Sequence, residues 1–350
     1  MAPDGYSDLA VRAAAWTGAG LFALTLLMMA AILAIRLRFL GRERRRQRFL
    51  SLWRPLFTEA LYQLPANIPS PRGGDRFLFL LLFNHFHSLV KGGEKEQLNT
   101  FATAAGLLPF ALAALQKGSF PQKIAATHAL GYLREASAFD ALEELARSEN
   151  TAIALAAAAA MTHVDPARAM RALIPLFAAR ADWPVSACEL MLRDAGQAAV
   201  SGPLKDAVME ADEAAVPALL RFLHTAGGET AGECVRFWLA RARSDETLSA
   251  ALQMLTDPRL RPSVRERLDH PVWHVRMQAV KALGRIGDRE DVPDIVRALA
   301  DREWWVRYRA ARTLAELPFV SHNEFRAIRE AQTDRYAREA LDLAAAETGR

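Results

Sequence analysis

The chain has 350 residues, of which 51% are apolar and 24% are charged, and its formal net charge is +4. Residues 36–48 hold seven Arg and one Glu, so this segment contributes +6 and the remainder sums to −2. That distribution excludes a broadly basic body of the kind that grips nucleic acid. The only cysteines, Cys188 and Cys234, form no CxxC pair, and we expect buried free thiols rather than a disulfide.

Residues 13–35 form an apolar run without a charged residue. As a helix the run would measure roughly 35 Å, which is enough to cross a hydrocarbon core of about 30 Å. A cleaved signal peptide carries its positive charge before the apolar run, whereas here the charge follows it. We therefore predict a retained single transmembrane helix.

A basic juxtamembrane segment, residues 36–49, follows the predicted span. The positive-inside bias places this segment in the cytoplasm, with residues 1–12 outside. The sequence thus predicts a single-pass protein of a bacterial inner membrane with a cytoplasmic C-terminal body. Anionic lipid would be attracted by the basic residues, which are Arg36, Arg38, Arg42, Arg44, Arg45, Arg46 and Arg48.

Residues 50–117 show no internal repeat, and we interpret them as a helical cap or linker region. A helix is predicted over 42–64, followed by a Pro/Gly break at 66–74. The apolar run 77–90 is too short for a second span, so we interpret it as a buried helix or as a helix that lies on the bilayer surface. A further helical segment over 98–115 is expected to break near Pro109.

Residues 118–350 carry an internal repeat. HPVWHVRMQAVKALGRI at 270–286 returns as DREWWVRYRAARTLAEL at 301–317, an offset of 31. This period predicts an all-α solenoid of paired helices. Intermediate repeats are expected to begin near residues 151, 182, 213 and 247. Gly284 and Gly287 are predicted to lie in a turn, Pro293 in the first turn of the next helix, and Asp257 and Asp301 to cap helix starts, in each case from residue type and position.

The pattern W-x-V-R-x-x-A-x-x-A-L-G-x-I-G-D-x-x-D-V-P at 273–293 resembles the short bacterial HEAT repeat, which also occurs in bilin-lyase-like proteins. In HEAT repeats a ladder of Asp and Arg residues stacks along the array. The resemblance implies that Arg276 and Arg307 are ladder arginines and that Asp288 and Asp291 are turn residues. Lys123 departs from the pattern at the equivalent position.

The order of the segments carries a second resemblance. An N-terminal anchor and an Arg cluster precede W-R-P-L at 53–56 and HEAT units that end in D-R-Y-A-R-E-A-L at 334–341. This layout is similar to a group of bacterial membrane-anchored HEAT proteins that accompany processive membrane glycosyltransferases. The resemblance implies a role beside an enzyme of surface polysaccharide synthesis or export.

Sequence motifs for catalysis are absent from the chain. None of the eight histidines is followed by Glu, which argues against the di-iron enzymes among HEAT-like proteins, and no phosphate-binding or nucleophile-elbow motif occurs. His85 and His87 lie two residues apart, so they should face different sides of a helix. We predict no enzyme, no cofactor and no metal, with a tetrapyrrole lyase-like enzyme as an alternative.

An aromatic and basic cluster near the C-terminus is the candidate for partner binding, because Trp, Tyr and Arg dominate interface hot spots. Trp273 and Trp304 share a repeat position and are expected to pack between repeats, whereas Trp305 and Tyr308 are expected to be the exposed pair. Packing of all these side chains between repeats is the alternative. The residues assigned to the candidate surface are Trp273, Trp305, Arg307, Tyr308 and Arg309.

Together these features predict a non-catalytic, membrane-tethered scaffold that binds a protein partner through its solenoid. The expected partner is a membrane protein such as a glycosyltransferase, with lipid contacted through the anchor and no nucleic acid bound. A lipid-surface adaptor that uses the Arg residues and the 77–90 helix is the second alternative.

Overall fold

The structure is a computed structural model. It describes residues 5–349, except for the side chains of residues 5–12, 38, 39 and 42. Every regular element within that range is a helix and none is a strand, so the all-α prediction is confirmed. The chain divides into two compact units, Met1–Ala129 and Leu130–Arg350.

The first unit begins with one very long helix. The sequence predicts a span followed by a helix over 42–64, and the structure joins them into a single helix that ends at Glu59. The α5 helix begins in this unit and its last residues belong to the second. The helices are α1 (Gly5–Glu59), α2 (Asp75–Leu89), α3 (Glu94–Ala104), α4 (Leu107–Lys117) and α5 (Phe120–Leu133).

Aromatic rings form the core of the first unit. Trp53 and Phe57 lie one turn apart on α1, so both face the same neighbours. The Trp53 ring meets the edge of Phe79 on α2 at 4.6 Å, and Phe57 meets Phe101 on α3 at 5.0 Å between ring centroids. These contacts hold the last turns of α1 against α2 and α3. The helix predicted at 77–90 is therefore buried on one face, while Leu81 on its other face is exposed.

The break predicted near Pro109 lies three residues earlier. Gly106 separates α3 from α4 with a φ of 85°, a left-handed conformation that glycine adopts without strain. The two helices meet at an angle of 80°. Pro109 lies in the first turn of α4, where its missing N–H leaves no hydrogen bond unmade.

The second unit consists of helices in two alternating rows. We call α7, α9, α11, α13, α15, α17 and α19 the A helices and those between them the B helices. Within the A row, α13 packs on α15, α15 on α17 and α17 on α19. The helices are α6 (Phe139–Ala146), α7 (Thr151–Val164), α8 (Pro166–Ala179), α9 (Val185–Ala195), α10 (Gln197–Glu210), α11 (Val216–Leu220), α12 (Gly228–Arg241), α13 (Asp245–Met254), α14 (Arg261–Glu266), α15 (Trp273–Ile286), α16 (Val292–Arg297), α17 (Trp304–Glu316), α18 (His322–Ala331) and α19 (Arg335–Thr348).

The A helices begin where the repeat predicts new units. Predicted starts near 151, 182, 213 and 247 correspond to helices that begin at Thr151, Val185, Val216 and Asp245. The match holds even through the middle repeats, where the sequence similarity is weakest. Because each helix buries one apolar face against its neighbours in the stack, the period of the apolar residues survives when the residues themselves change.

Two glycines, Gly131 on α5 and Gly284 on α15, allow neighbouring helices to approach closely. A Cβ atom on Gly131 would lie 2.8 Å from the Cα of Ala160, and one on Gly284 would lie 2.7 Å from Cγ2 of Thr313. Each glycine thus contacts a residue 29 positions later, on the next A helix. The prediction that Gly284 lies in a turn is wrong, because the residue is inside α15, while Gly287 caps that helix.

An arginine–aspartate pair connects α15 to the next repeat. Arg276 is 5% exposed, and its Nε and Nη2 donate to the carboxylate of Asp301 at 2.7 and 2.8 Å. Burial pushes the pKa of Asp301 up, but the hydrogen bonds from Arg276 outweigh it, and the pKa lies below its usual 3.8. Asp301 also accepts from the backbone N–H of Glu303. Glu303 is itself the N-cap of α17, and no described side chain caps this helix, so the prediction that Asp301 caps it is wrong.

The other local predictions for this unit hold. Asp257 accepts from the backbone N–H of Arg259, whose side chain also lowers the pKa of Asp257 to about 2. Pro293 occupies the first turn of α16. Cys188 and Cys234 are buried free thiols, and burial raises both pKa values to about 11.

Candidate partner-binding surface

Aromatic side chains lie at the starts of the last three A helices. Trp273 begins α15, Trp304 and Trp305 begin α17, and Tyr336 is the second residue of α19. Their exposed fractions are 37%, 45%, 54% and 59%. We call these four residues the aromatic surface. Trp and Tyr are the residue types that most often anchor protein partners, and exposed groups of them mark interaction surfaces.

Trp304 lies between two other rings of α17. It stacks on Tyr308 with centroids 5.1 Å apart and an interplanar angle of 4°, and it meets Trp305 edge-on at 4.6 Å. The Tyr308 hydroxyl donates to Oε2 of Glu347 on α19 at 2.7 Å. Tyr308 is therefore half-buried and bonded to α19, and the expectation that it is exposed together with Trp305 is wrong. Trp304 and Trp305 form the exposed pair instead.

Trp273 is expected from its repeat position to pack between repeats, and the structure leaves it partly exposed. More than a third of its surface is exposed, and its ring contacts the edge of the adjacent His274 at 5.8 Å. Trp304, at the same position one repeat later, is also exposed. Both indoles stand at the first residue of their helices, and this position is accessible to a partner.

Arg307 binds the chain segment that precedes α17. Its Nη1 donates to the carbonyl oxygens of Asp301 and Arg302 at 2.8 and 3.0 Å. The guanidinium carbon lies 5.3 Å from the ring centroid of Tyr336. Arg307 thus ties the start of α17 to the aromatic ring at the start of α19, and it brings a positive charge to the aromatic surface.

Further basic residues surround Tyr308 and the later turns of α15 and α17. Arg312 donates to the Tyr308 hydroxyl at 3.3 Å and pairs with Glu316 at 2.7 Å. Burial lowers the pKa of Lys281, and the nearby charges of Arg309 and Arg285 lower it further. In the described chain, Nε of Arg309 is buried with no hydrogen-bond partner. The cluster is thus cationic beside the aromatic rings.

Sequence reasoning missed Tyr336, the most exposed ring of the aromatic surface. The signal was available, because Tyr336 follows Trp305 by 31 positions, the period of the repeat. It also missed Arg312 and Lys281, whose relevance depends on contacts that only the packed helices make. Arg276, the first ladder arginine implied by the HEAT resemblance, is buried in its pair with Asp301.

The basic residues that follow the predicted span lie on α1. Arg36, Arg44, Arg46 and Arg48 are exposed, and Nε of Arg45 pairs with Asp75 of α2 at 2.8 Å. The side chains of two further residues in this predicted membrane-surface set lie outside the described part of the structure, namely Arg38 and Arg42.

The N-terminal part of α1 is long and apolar enough to cross a membrane. Ala13–Leu37 has a mean hydropathy of 2.3, and none of this segment is buried. The predicted span at 13–35 lies within it. An N-terminal signal sequence or a core helix can meet the same criteria of length and hydropathy, so these properties show that this helix is able to span a membrane and leave its topology open.

The histidines predicted to face different sides of one helix do so, since His85 is exposed and His87 is buried on α2. Over the residues whose side chains are described, no group of three or more His, Cys, Asp or Glu comes together as a metal site would require.

Comparison with known proteins supports the repeat assignment. A family model for HEAT repeats matches residues 235–315, which end within α17. A crystal structure of an engineered protein is similar to this chain, with 16% sequence identity over 79% of each chain and a TM-score of 0.33. A search of curated proteins finds no match. The all-helical structure together with this family match over residues 235–315 confirms the predicted all-α fold with HEAT-type repeats.

Proposed function

We propose that this protein is a non-catalytic scaffold that is held at a membrane by α1 and binds a protein partner through the aromatic surface. One observation carries the proposal: Trp304, Trp305 and Tyr336 are exposed together at the starts of consecutive A helices. Large exposed aromatic side chains lose contact with water when a partner covers them, and that burial supplies much of the binding energy.

Membrane attachment is supported by the apolar, unburied segment Ala13–Leu37 and by the basic residues that follow it. The positive-inside bias favours a bacterial inner-membrane protein whose N-terminus lies outside the cytoplasm and whose repeats lie inside it. Attachment would raise the effective concentration of the repeats near other membrane proteins.

A membrane glycosyltransferase of surface polysaccharide synthesis or export is the partner class that we propose. The support is the resemblance in layout, in which an anchor, an Arg cluster and HEAT units follow in that order. Tethering agrees with this choice, since a membrane-bound partner would meet a membrane-tethered protein without diffusing through the cell.

Co-purification from membranes tests the partner site. The full chain should recover a membrane protein, and Trp305→Ala combined with Tyr336→Ala should lose it. The matched control is Tyr62→Ala, which removes another exposed aromatic side chain, from the first unit. Recovery that is unchanged by the double substitution would contradict the proposed site. Tyr308 is left intact because its bond to Glu347 has a structural role.

Topology is tested separately by labelling single cysteines in intact cells. A membrane-impermeant thiol reagent should label Ser7→Cys from outside and should leave Ser51→Cys unlabelled until the membrane is broken. Labelling of Ser51→Cys in intact cells would contradict the proposed orientation.

A lipid-surface adaptor is a second candidate, favoured by a groove in the first unit. The groove has a volume of about 350 Å³ and combines apolar residues with Arg46 and Arg54, a composition that suits an anionic amphiphile. Full-length protein purified from mixed-lipid nanodiscs should then retain anionic lipid, and Arg46→Gln with Arg54→Gln should reduce the retained amount. Equal retention by both proteins would count against this candidate. The lining residues are Arg46, Phe49, Leu50, Arg54, Leu78, Leu81, Leu82 and His85.

A further inference from the structure

The A helices carry a polar pair that recurs with the repeat. The first residue of each pair occupies the position of Arg276 in the W-x-V-R motif, and its partner lies 25 positions later in the chain. Asp245 and His270 lie 3.7 Å apart between Oδ1 and Nε2. One repeat later Arg276 binds Asp301 through two hydrogen bonds of 2.7 and 2.8 Å. The pairs stack along the unit as the HEAT ladder does, although the charges are reversed between the first and second pair.

Arg307 continues this series and has the same orientation as Arg276. The Nη1 of Arg276 donates to the carbonyl oxygens of His270 and Pro271, at 2.8 and 2.9 Å. The Nη1 of Arg307 donates to the carbonyl oxygens of Asp301 and Arg302, which are the equivalent residues 31 positions later. The opposite edge of each guanidinium, formed by Nε and Nη2, therefore occupies the same place in its repeat.

The third pair lacks its acid. Gln332 stands where the repeat places the counterpart of Asp301, and its side chain donates to the carbonyl oxygen of Ile328 instead. No residue of the described chain accepts a hydrogen bond from Nε of Arg307, although that atom is buried. A buried donor without an acceptor costs free energy, and the cost is larger for a charged group.

We propose that Arg307 is a receptor for a carboxylate carried by the protein partner, an Asp or Glu side chain that takes the place of the missing ladder acid. This inference rests on the proposed function, because the exposed rings of Trp304, Trp305 and Tyr336 belong to the starts of α17 and α19, and the Tyr336 ring lies beside Arg307. The occupant is therefore an acidic residue with an apolar neighbour on a partner segment. The carboxylate forms two parallel hydrogen bonds with Nε and Nη2, as Asp301 does with Arg276.

Charge and burial both favour this occupant. A guanidinium binds a carboxylate through two parallel hydrogen bonds in one plane. In a protein segment without phosphate, carboxylates occur only at Asp, at Glu and at the C-terminus. The Tyr336 ring beside the guanidinium shields the pair from water and strengthens it relative to a fully exposed ion pair. Tyr336 stands over the guanidinium and is itself 59% exposed, so turning this ring aside is the movement that binding requires.

Completing the ladder within the chain is the first test. Gln332→Asp places a carboxylate at the counterpart of Asp301 and should raise the melting temperature of the full-length protein by roughly 2–4 °C relative to Gln332→Asn. The Asn variant has the same size without the charge. Equal melting temperatures for the two variants would overturn the premise that Arg307 has an unpaired edge.

Peptide binding by the full chain in nanodiscs is the second test. The probes are two fluorescent pools of ten-residue peptides that differ only in a central Glu or Gln flanked by varied apolar residues. We expect the Glu pool to bind about tenfold to a hundredfold more tightly. Arg307→Gln and Gln332→Asp should each abolish this preference, because one removes the donor and the other occupies it.

Arg335→Gln is the matched control, since Arg335 is a highly exposed arginine at the start of α19 that pairs with Glu339. This variant should keep the preference for the Glu pool. An equal loss in Arg335→Gln would show general charge attraction and overturn the proposal, as would a wild-type protein that binds both pools alike. The two proposals can fail separately. If the Glu preference is absent but the Trp305→Ala, Tyr336→Ala variant still loses the co-purified partner, the carboxylate receptor is refuted and the scaffold function is retained.

Discussion

Aromatic side chains lie in opposite environments in two regions of this protein, the core of the first unit and the last repeats of the second. In the first unit Trp53 and Phe57 are 3% and 0% exposed and form the core with rings from α2 and α3. At the end of the second unit, Trp304 and Trp305 are 45% and 54% exposed. The same class of residue is thus interior in the core of the first unit and exposed at the end of the second unit.

The reason is the spacing of the helices. Where Gly131 faces Ala160 and Gly284 faces Thr313, even one added Cβ atom would lie within 3 Å of the next helix. Helices in such close contact leave little room for an indole at these points, whereas Trp273, Trp304 and Trp305 lie at the helix starts. The exposed aromatic residues of the last repeats therefore remain available to a partner.

The largest expected effect is on the aromatic core. Phe57→Ala removes a fully buried ring that contacts Phe79 and Phe101, and it should destabilise the first unit by about 3–5 kcal/mol. Hydrogen exchange of the amides of α2 and α3 in the full chain measures this loss. Tyr62→Ala serves as a control, because Tyr62 is 80% exposed. Equal protection in the two variants would contradict the assignment of Phe57 to the core.

A smaller loss is expected where the repeats are tightly packed. Gly131→Ala should destabilise the protein by roughly 1–3 kcal/mol, because the new Cβ would meet the backbone of Ala160. Urea denaturation measures the change. Gly202→Ala on α10 is the control, since no heavy atom lies within 4 Å of its added Cβ. That variant should gain about 0.5–1 kcal/mol from the better helix propensity of Ala. Destabilisation of the same size at both positions would refute the close approach.

Acid should weaken the ladder pair of the last repeats. The pKa of Asp301 lies below 3.8 in the folded state, so the unfolded chain takes up a proton first as the pH falls. Stabilisation by Asp301 is complete above pH 3.8 and is lost as the pH falls through the folded-state pKa. Urea midpoints measured from pH 5 to pH 3 should fall more steeply for the wild type than for Asp301→Asn. Parallel curves would indicate that Asp301 contributes nothing to the pH dependence.

The smallest effect on stability is expected at the aromatic surface. Trp305→Ala should change the free energy of unfolding by no more than about 0.5 kcal/mol, since over half of the side chain is exposed. Thermal denaturation of the full chain measures it. A loss as large as that of Phe57→Ala would show that Trp305 is a core residue and would remove the contrast between the two units.

Much of the fold could be predicted from the sequence because it depends on local periodicity. The 31-residue offset located the A helices through the degenerate middle repeats, and the HEAT resemblance identified Arg276 as a ladder residue. Predictions about single side chains were less successful. Gly284 was expected in a turn and lies inside α15, and Tyr308 was expected to be exposed with Trp305 and is half-buried.

The amino-acid sequence by itself determined the apolar period, the helix starts and the 25-residue apolar stretch of α1, because these depend on residues that are close along the chain. Only the tertiary structure decided which rings are exposed and which ladder arginine lacks an acid. Those properties depend on atoms from helices about one repeat apart, such as Tyr308 with Glu347 and Arg276 with Asp301. Helix packing brings such atoms within hydrogen-bonding distance. The spacing of residues along the chain does not specify which atoms will meet in this way.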